Sequence, residues 1–255
     1  IEECLDSVAL QGNSVHHTYV VDNNSTDKTI DKVRDWQNTN PGFPLTVLFE
    51  SKPGASAARN CPLNLVQTKW IQFLDADDLL LPNKITNQVG DFPFADVICA
   101  GFRRLDVSGN RKLSLPNTNT KLALLKSCAG ITSANLFSTQ SILSVGGWDE
   151  SLKSSQEYDL MFRLWQAHFV FKFNCKPQAV IRARAFGQIS QQNPREKWTQ
   201  FIDLRMKMLN EMFHLHTRQQ EKQEMLQVVF DFVRILFPLD LEKATHTYQL
   251  LKEIG

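Results

Sequence analysis

Apolar positions in the first part of the chain recur with two periods in turn, one helical and one extended. Ile1, Leu5 and Val8 share a helical face, predicting a helix to about Gln11. An apolar run from Thr18 to Val21 then has strand character and stops on Asp22-Asn23-Asn24-Ser25-Thr26-Asp27. Such a turn suits a tight strand exit, with Ser25 or Thr26 placed to cap the next helix. Ile30, Val33 and Trp36 form that helix's apolar face, and Asn40-Pro41-Gly42 breaks it. A second strand follows at Leu45 to Phe49. Lys52-Pro53-Gly54 turns into a small-residue helix, Ala55 to Val66, carrying Arg59 and Asn60. Trp70, Ile71, Phe73 and Leu74 then make a third strand that ends abruptly on Asp75, Asp77 and Asp78. Strands and helices alternating at this spacing predict an α/β fold with a parallel sheet covered on both faces. Ligands in such sheets lie beyond the carboxyl ends of the strands, where the Asp22 turn and the Asp75 cluster both fall.

The second half changes character. A helix from Pro82 and a strand around Asp96 to Phe102 lead into residues 106–120, rich in Asn, Ser, Gly and Thr, which predict a loop or exposed hairpin. A further helix and strand reach Val145-Gly146-Gly147-Trp148-Asp149-Glu150, a turn with an aromatic beside two acids. The next helix runs from about Ser155 to His168 with Leu160, Leu164 and Trp165 as its buried stripe. Glu157 lies in its first turn, where the helix dipole favours a carboxylate, and Asp159 points to the opposite side. From Glu196 onward the pattern is helical, in two or three amphipathic segments.

The three aspartates closing the third strand are the strongest chemical signal. Crowded carboxylates at the end of a buried strand repel one another and lose hydration, so a cation among them is favoured. Oxygen ligands on so short a spacing suit Mg²⁺ or Mn²⁺, which keep water positions and share others with phosphates. The alternative from these residues alone is a capped turn with two solvated acids.

Composition narrows the classes. At 255 residues the chain fits one domain or one domain with an extension. Lys plus Arg (28) nearly balances Asp plus Glu (27), which gives no electrostatic case for nucleic acid or an anionic membrane. Five cysteines without CxxC spacing read as reduced, intracellular thiols. No apolar run approaches the ~20 residues of a membrane span; Val228 to Leu239 is interrupted by Asp231 and Arg234. The helical opening at Ile1, with no strand before it, suggests a sequence that starts inside a domain.

The segments VVDNNSTDKT, GASAARN, WIQFLDADDLLLP, and GGWDE followed by QEYDLMFRL, in that order, resemble the family 2 inverting glycosyltransferases of the GT-A fold, bacterial in type. The resemblance implies a GT-A domain over residues 1–190, a mixed, mainly parallel sheet flanked by helices with its first strand missing, and a C-terminal helical extension over residues 191–255. It implies transfer of a sugar from a nucleotide-diphosphate donor, UDP-sugar favoured, to a saccharide or lipid-linked hydroxyl in polysaccharide or glycoconjugate synthesis. Asp22 and Asn23 would lie by the nucleotide, Asn23 standing where a second Asp is common. Within Asp75-Ala76-Asp77, Asp75 would meet the ribose or a metal-bound water and Asp77 would ligate Mn²⁺ or Mg²⁺, with Asp78 behind them. Arg59 would reach the nucleotide or else pair, as a helix residue, with a nearby acid, and Glu157, in place of the usual Asp, would be the catalytic base. Gly147, Trp148 and Asp149 would line the acceptor side, the Trp ring either stacking on a sugar or simply packed in the core. Arg182 and Arg184 stand where relatives have an Arg and a metal-binding His. This implies a metal site without a His ligand and Arg184 as a phosphate clamp.

A cytoplasmic protein with peripheral contact at the inner face of a membrane fits such relatives. Two other classes stay open: a haloacid-dehalogenase-like phosphohydrolase with Asp75 as nucleophile, and a GT-A module that binds a nucleotide sugar without turnover.

Overall fold

The helical spacing of Ile1, Leu5 and Val8 forms α1 (Glu2–Ala9), with Cys4 and Leu5 buried. A computed structural model describes residues 1–183, 193–215 and 218–255. The first strand, β1 (Thr18–Asp22), pairs in parallel with β2 (Leu45–Phe49), from Thr18 opposite Leu45 to Asp22 opposite Phe49. Between them α2 (Thr29–Thr39) buries Val33 and Trp36 against Leu5. The Trp36 indole N–H donates to Asp6 at 2.7 Å and ties α2 to α1. Neither Ser25 nor Thr26 caps α2; the Asp27 carboxylate accepts from Thr29 N instead, at 2.9 Å.

Helix α3 (Ala55–Asn60) is shorter than its composition predicts. Pro62 has no N–H to continue the ladder, and a 3₁₀ turn over Leu63–Leu65 comes next. The acidic strand shrinks to β3 (Trp70–Ile71), and β4 (Leu79–Leu80) lies just past the aspartate turn. Next come α4 (Lys84–Asp91), β5 (Val97–Leu105) and β6 (Arg111–Ser114); β6 pairs back on the end of β5, so the segment expected as a loop or exposed hairpin supplies the turn and the exposed outer strand. Then α5 (Thr120–Leu125), capped by Asn119, leads to β7 (Leu136–Ser138), α6 (Thr139–Ser144), α7 (Gln156–Gln166) and β8 (Phe171–Arg182).

The continuous parallel sheet expected through the third strand is not what forms. β1 and β2 stand as a separate pair, while the larger sheet has the order β3-β7-β5-β8-β4, with β6 on β5. β3 runs antiparallel to β7, and β5 with β8 is its long parallel pair. Periodicity indicates whether a segment is helix or strand but not its neighbour: β7 takes up β5 from about 40 positions away and β3 from more than 60. Between β1 and β3 lies a cavity of about 1000 Å³, lined by Val20, Ala58, Leu65, Ile71, Phe73 and Leu136 among others.

The C-terminal helices α8 (Pro194–Phe213), α9 (Gln219–Leu236) and α10 (Leu241–Ile254) do not form a core of their own. Ile202, Met208, Leu209, Met225 and Val229 join Leu124, Phe137, Leu160 and Phe162 in one apolar cluster. Burying each such side chain contributes about 1.5–3 kcal/mol. None of the described helices is long and apolar enough to cross a membrane.

Candidate active site

The turn after β3 is built around Asp78. Asp78 N donates to Asp75 O at 2.9 Å, closing the turn, and the Asp78 side chain points inward with 4% of the residue exposed. Ser133 Oγ donates to it at 2.6 Å and Arg182 N at 3.1 Å. Burial pushes the Asp78 carboxyl up to about 6, against those two hydrogen bonds. Asp78 therefore moors the turn to β8 and to the loop before β7. Asp75 and Asp77 stay partly open to solvent, with Ala76 exposed between them. Arg182 reinforces the turn by donating to the Asp77 carbonyl and pairing with Glu3.

α3 joins this turn to a distant one. Arg59 donates to Asp75 at 2.7 Å and lies 4.6 Å above the Trp148 ring. Its neighbour Asn60 clasps the Trp148 backbone, accepting from N and donating to O, both at 2.8 Å. Gly147 must be glycine here: its φ is +72°, and a Cβ would come within 2.7 Å of the Asn60 amide oxygen. Asn60 also donates to Glu150, which pairs with Lys52 at 2.6 Å.

Glu157 lies in the first turn of α7 as expected, with an edge still open to solvent. The protein packed around it pushes its carboxyl up to about 8; Arg59 pulls the other way, as do hydrogen bonds from Thr132 and Asn135, while Asp75 adds to the rise. Asn135 Nδ2 donates to Glu157 at 3.3 Å and to Ala129 O at 3.0 Å. Asp159 turns away, as predicted, to pair with Arg163 at 2.8 Å.

The segment Thr132 to Asn135, which sequence reasoning did not single out, is the floor of the site. Ser133 accepts from Asp75 N at 3.3 Å while donating to Asp78, and Asn135 holds Glu157. Its backbone carbonyls are taken up by Gln72, Gln88 and Lys84, at 3.1, 3.2 and 3.4 Å. Lys84 and Gln88 are wholly buried, and burial pushes the Lys84 amine well down. The available signal was a polar run, Thr-Ser-Ala-Asn, immediately before an apolar strand.

Other predicted residues take different parts. Asp22 ends β1 and accepts from Ser25 N at 3.1 Å. Asn23 commits both amide hydrogens to Glu50 O and Lys52 O, at 2.8 and 2.7 Å, and accepts from Gly54 N at 2.7 Å. It shapes the loop before α3, and its side chain has no donor left for a nucleobase. Trp148 is 2% exposed and packs edge-on against Phe73 at 5.2 Å, so it has no face open to a sugar. Its role at the site is to carry Arg59. Asp149, whose carboxyl is held low by Ser151, edges the same turn. Arg184 lies outside the described residues. The large cavity touches the site only at its end, through Arg59, Asp75 and Ala76.

Among the described residues no group of three or more His, Cys, Asp and Glu side chains is gathered for a metal. Asp75 and Asp77 offer two carboxylates on one turn. That donor set does not suit a closed, all-protein metal cage; it suits a divalent cation whose remaining positions are filled by water and a ligand's phosphates.

The family model "Glycosyl transferase family 2" matches residues 1–145, more than half of the chain. An uncharacterized glycosyltransferase of Rickettsia prowazekii (strain Madrid E) is 23% identical over 188 residues, covering 67% of this chain and 56% of that protein. The chain thus spans little more than half the length of this relative. The structure of S. aureus TarS 1–349 in complex with UDP-GlcNAc matches with a TM-score of 0.66 at 18% identity, covering 92% of this chain and 68% of that one. Mannosyltransferase PcManGT from Pyrobaculum calidifontis, in complex with GDP-Man and Mn²⁺, matches with a TM-score of 0.59 at 16% identity, covering 100% and 72%. At such identities the structural likeness speaks for the fold, a GT-A arrangement of curled sheet and flanking helices. With the family match, the chain belongs to glycosyl transferase family 2 and is built on the GT-A fold.

Proposed function

We propose that this chain carries the donor-binding and base-bearing part of a metal-assisted, inverting glycosyltransferase. It moves a sugar from a nucleotide-diphosphate donor, UDP-sugar favoured, to the hydroxyl of a saccharide acceptor. One observation carries this reading: Asp75 and Arg59, paired at 2.7 Å, lie close enough to Glu157 for both charges to act on its carboxyl, and the three come from separate motifs over a shared polar floor. The family match supports sugar transfer over phosphate hydrolysis.

Asp77, with Asp75, would hold Mn²⁺ or Mg²⁺. When bound, the cation supplies charge neutralisation at the leaving diphosphate. The remaining steps belong to the chain's own residues. Asp22 lies beside the nucleotide. Arg59, once drawn off Asp75, gives its guanidinium fork to the phosphates. Asp149 and Gly147 border the acceptor side. Glu157, oriented by Asn135, takes the proton from the acceptor hydroxyl as it attacks. Attack from the face opposite the leaving group inverts the anomeric centre and needs no carboxylate nucleophile.

Thermal denaturation with UDP-GlcNAc or GDP-mannose, with and without Mn²⁺, tests donor binding. At a hundredfold excess over Kd, a gain of roughly 3 kcal/mol raises Tm by about 5–10 °C. The gain should require Mn²⁺ and disappear in Asp77→Ala. Mn²⁺-independent stabilisation, or an equal shift in Asp77→Ala, would remove Asp77 from the donor site.

A further inference from the structure

Arg205 on α8 is wholly buried, and among the described residues no carboxylate pairs with it. A cation in that position is costly unless its hydrogens find partners. Its guanidinium donates to Ser127 Oγ, lies 3.5 Å from Ser155 Oγ, and reaches Leu125 O at 3.4 Å. The rings of Phe201 and Tyr158 cover it at 3.9 and 5.1 Å. Both serines have left-handed backbones, with φ of +56° at Ser127 and +57° at Ser155. Non-glycine residues hold that conformation only where surrounding contacts impose it.

Each serine leads directly into one wall of the site. Glu157 comes two residues after Ser155. Ala129 and Gly130, just past Ser127, exchange hydrogen bonds with the Tyr158 hydroxyl at 3.1 and 3.2 Å, and Ala129 O accepts from the Asn135 amide that holds Glu157. A side chain from the C-terminal helices therefore grips both walls between which the carboxylate stands. We propose that Arg205 is a positioning residue for Glu157, fixing the two strained serines at which those walls turn. The C-terminal helices thereby become a working part of the transfer site. This rests on Glu157 being the base.

The test measures UDP release from saturating UDP-GlcNAc with Mn²⁺. Arg205→Met replaces a buried charge with an apolar side chain and is expected to fold. Arg205→Lys keeps the charge but cannot span both serines. Both should lower kcat about tenfold while leaving the donor KM within about twofold. In a Glu157→Gln background, Arg205→Met should cause no further loss. Equal fold losses in both backgrounds, or a raised KM at constant kcat, overturn the proposal alone; a silent Glu157→Gln overturns the base reading and the proposal with it.

A second measurement needs no turnover. Glu157→Gln should raise Tm more at pH 9 than at pH 5, and Arg205→Met should shrink that difference by half or more. The other groups whose charge Glu157 feels or perturbs, Arg59, Asp75, Cys99 and Tyr158, are the same in every variant. A difference of unchanged size means that Arg205 is packing only.

Discussion

Glu157→Gln is expected to lower kcat for UDP release by roughly a hundredfold to ten-thousandfold, the usual contribution of a positioned base. The same variant is expected to be more heat-stable than the parent at alkaline pH. Burial lifts the Glu157 carboxyl from its ordinary 4.5 to about 8, so the folded protein keeps a proton that the unfolded chain releases. Stability therefore falls as pH rises from about 4.5 to about 8 and levels off above it. A glutamine does not titrate and escapes that loss. The full shift corresponds to a ceiling of roughly 5 kcal/mol, and local relaxation and water entry reduce it to about 2 kcal/mol, or roughly 4–8 °C in Tm. Melting curves at pH 5 and pH 9 read the sign directly. In the parent, kcat/KM should rise with pH up to about 8, because the base acts only when ionised. A variant less stable than the parent at pH 9, or a pH-rate profile flat through that region, would show that the carboxyl is not held in the way the packing implies.

The second large effect is structural and reaches the same residue. Gly130→Ala should destabilise the fold by about 3–5 kcal/mol, combining a left-handed backbone with a clash against fixed polar atoms. Gly130 has φ of +80°, and an added Cβ would come within 2.1 Å of the Asn135 amide oxygen and 2.8 Å of Ala100 O. Asn135 cannot move aside without releasing Ala100 N, Ala129 O and Glu157 together. The control is Gly109→Ala on the β5–β6 hairpin. There φ is +84° but nothing lies within 4 Å, so only backbone strain of about 1 kcal/mol applies. Tm of the two variants, tracked by circular dichroism, separates clash from strain. Equal Tm values would mean that the packing around Asn135 is looser than the distances state.

The sequence made the chemistry of this site more legible than its architecture. Carboxylates closing an apolar run announce themselves, because charge in that place demands an explanation, and the first turn of α7 can be read from Leu160 and Leu164. What stayed hidden depends on partners far away in the chain. Thr132 to Asn135 looks like an ordinary polar loop until Gln72, Lys84 and Gln88 are seen to satisfy its carbonyls across separations of 46 to 61 residues. Asn23 resembles a ligand contact, yet its amide stitches backbone. Trp148 beside two acids fits a sugar platform as well as a core position, and its partners decide for the core: the ring is enclosed by Phe73 and Arg59. The pairing of β3 with β7 is likewise unreadable from period alone, since alternation says which face a residue takes and nothing about which strand lies next to it.

The adjacency of Arg59 and Asn60 has a mechanical consequence. α3 is only six residues long, and Arg59 and Asn60 are its last two residues. A tilt of α3 that draws the guanidinium off Asp75 would also pull on the backbone of Trp148 through its neighbour's amide. If Arg59 serves the donor and the Trp148 turn the acceptor side, as proposed, loading one and reshaping the rim of the other would be a single displacement, transmitted over one peptide bond.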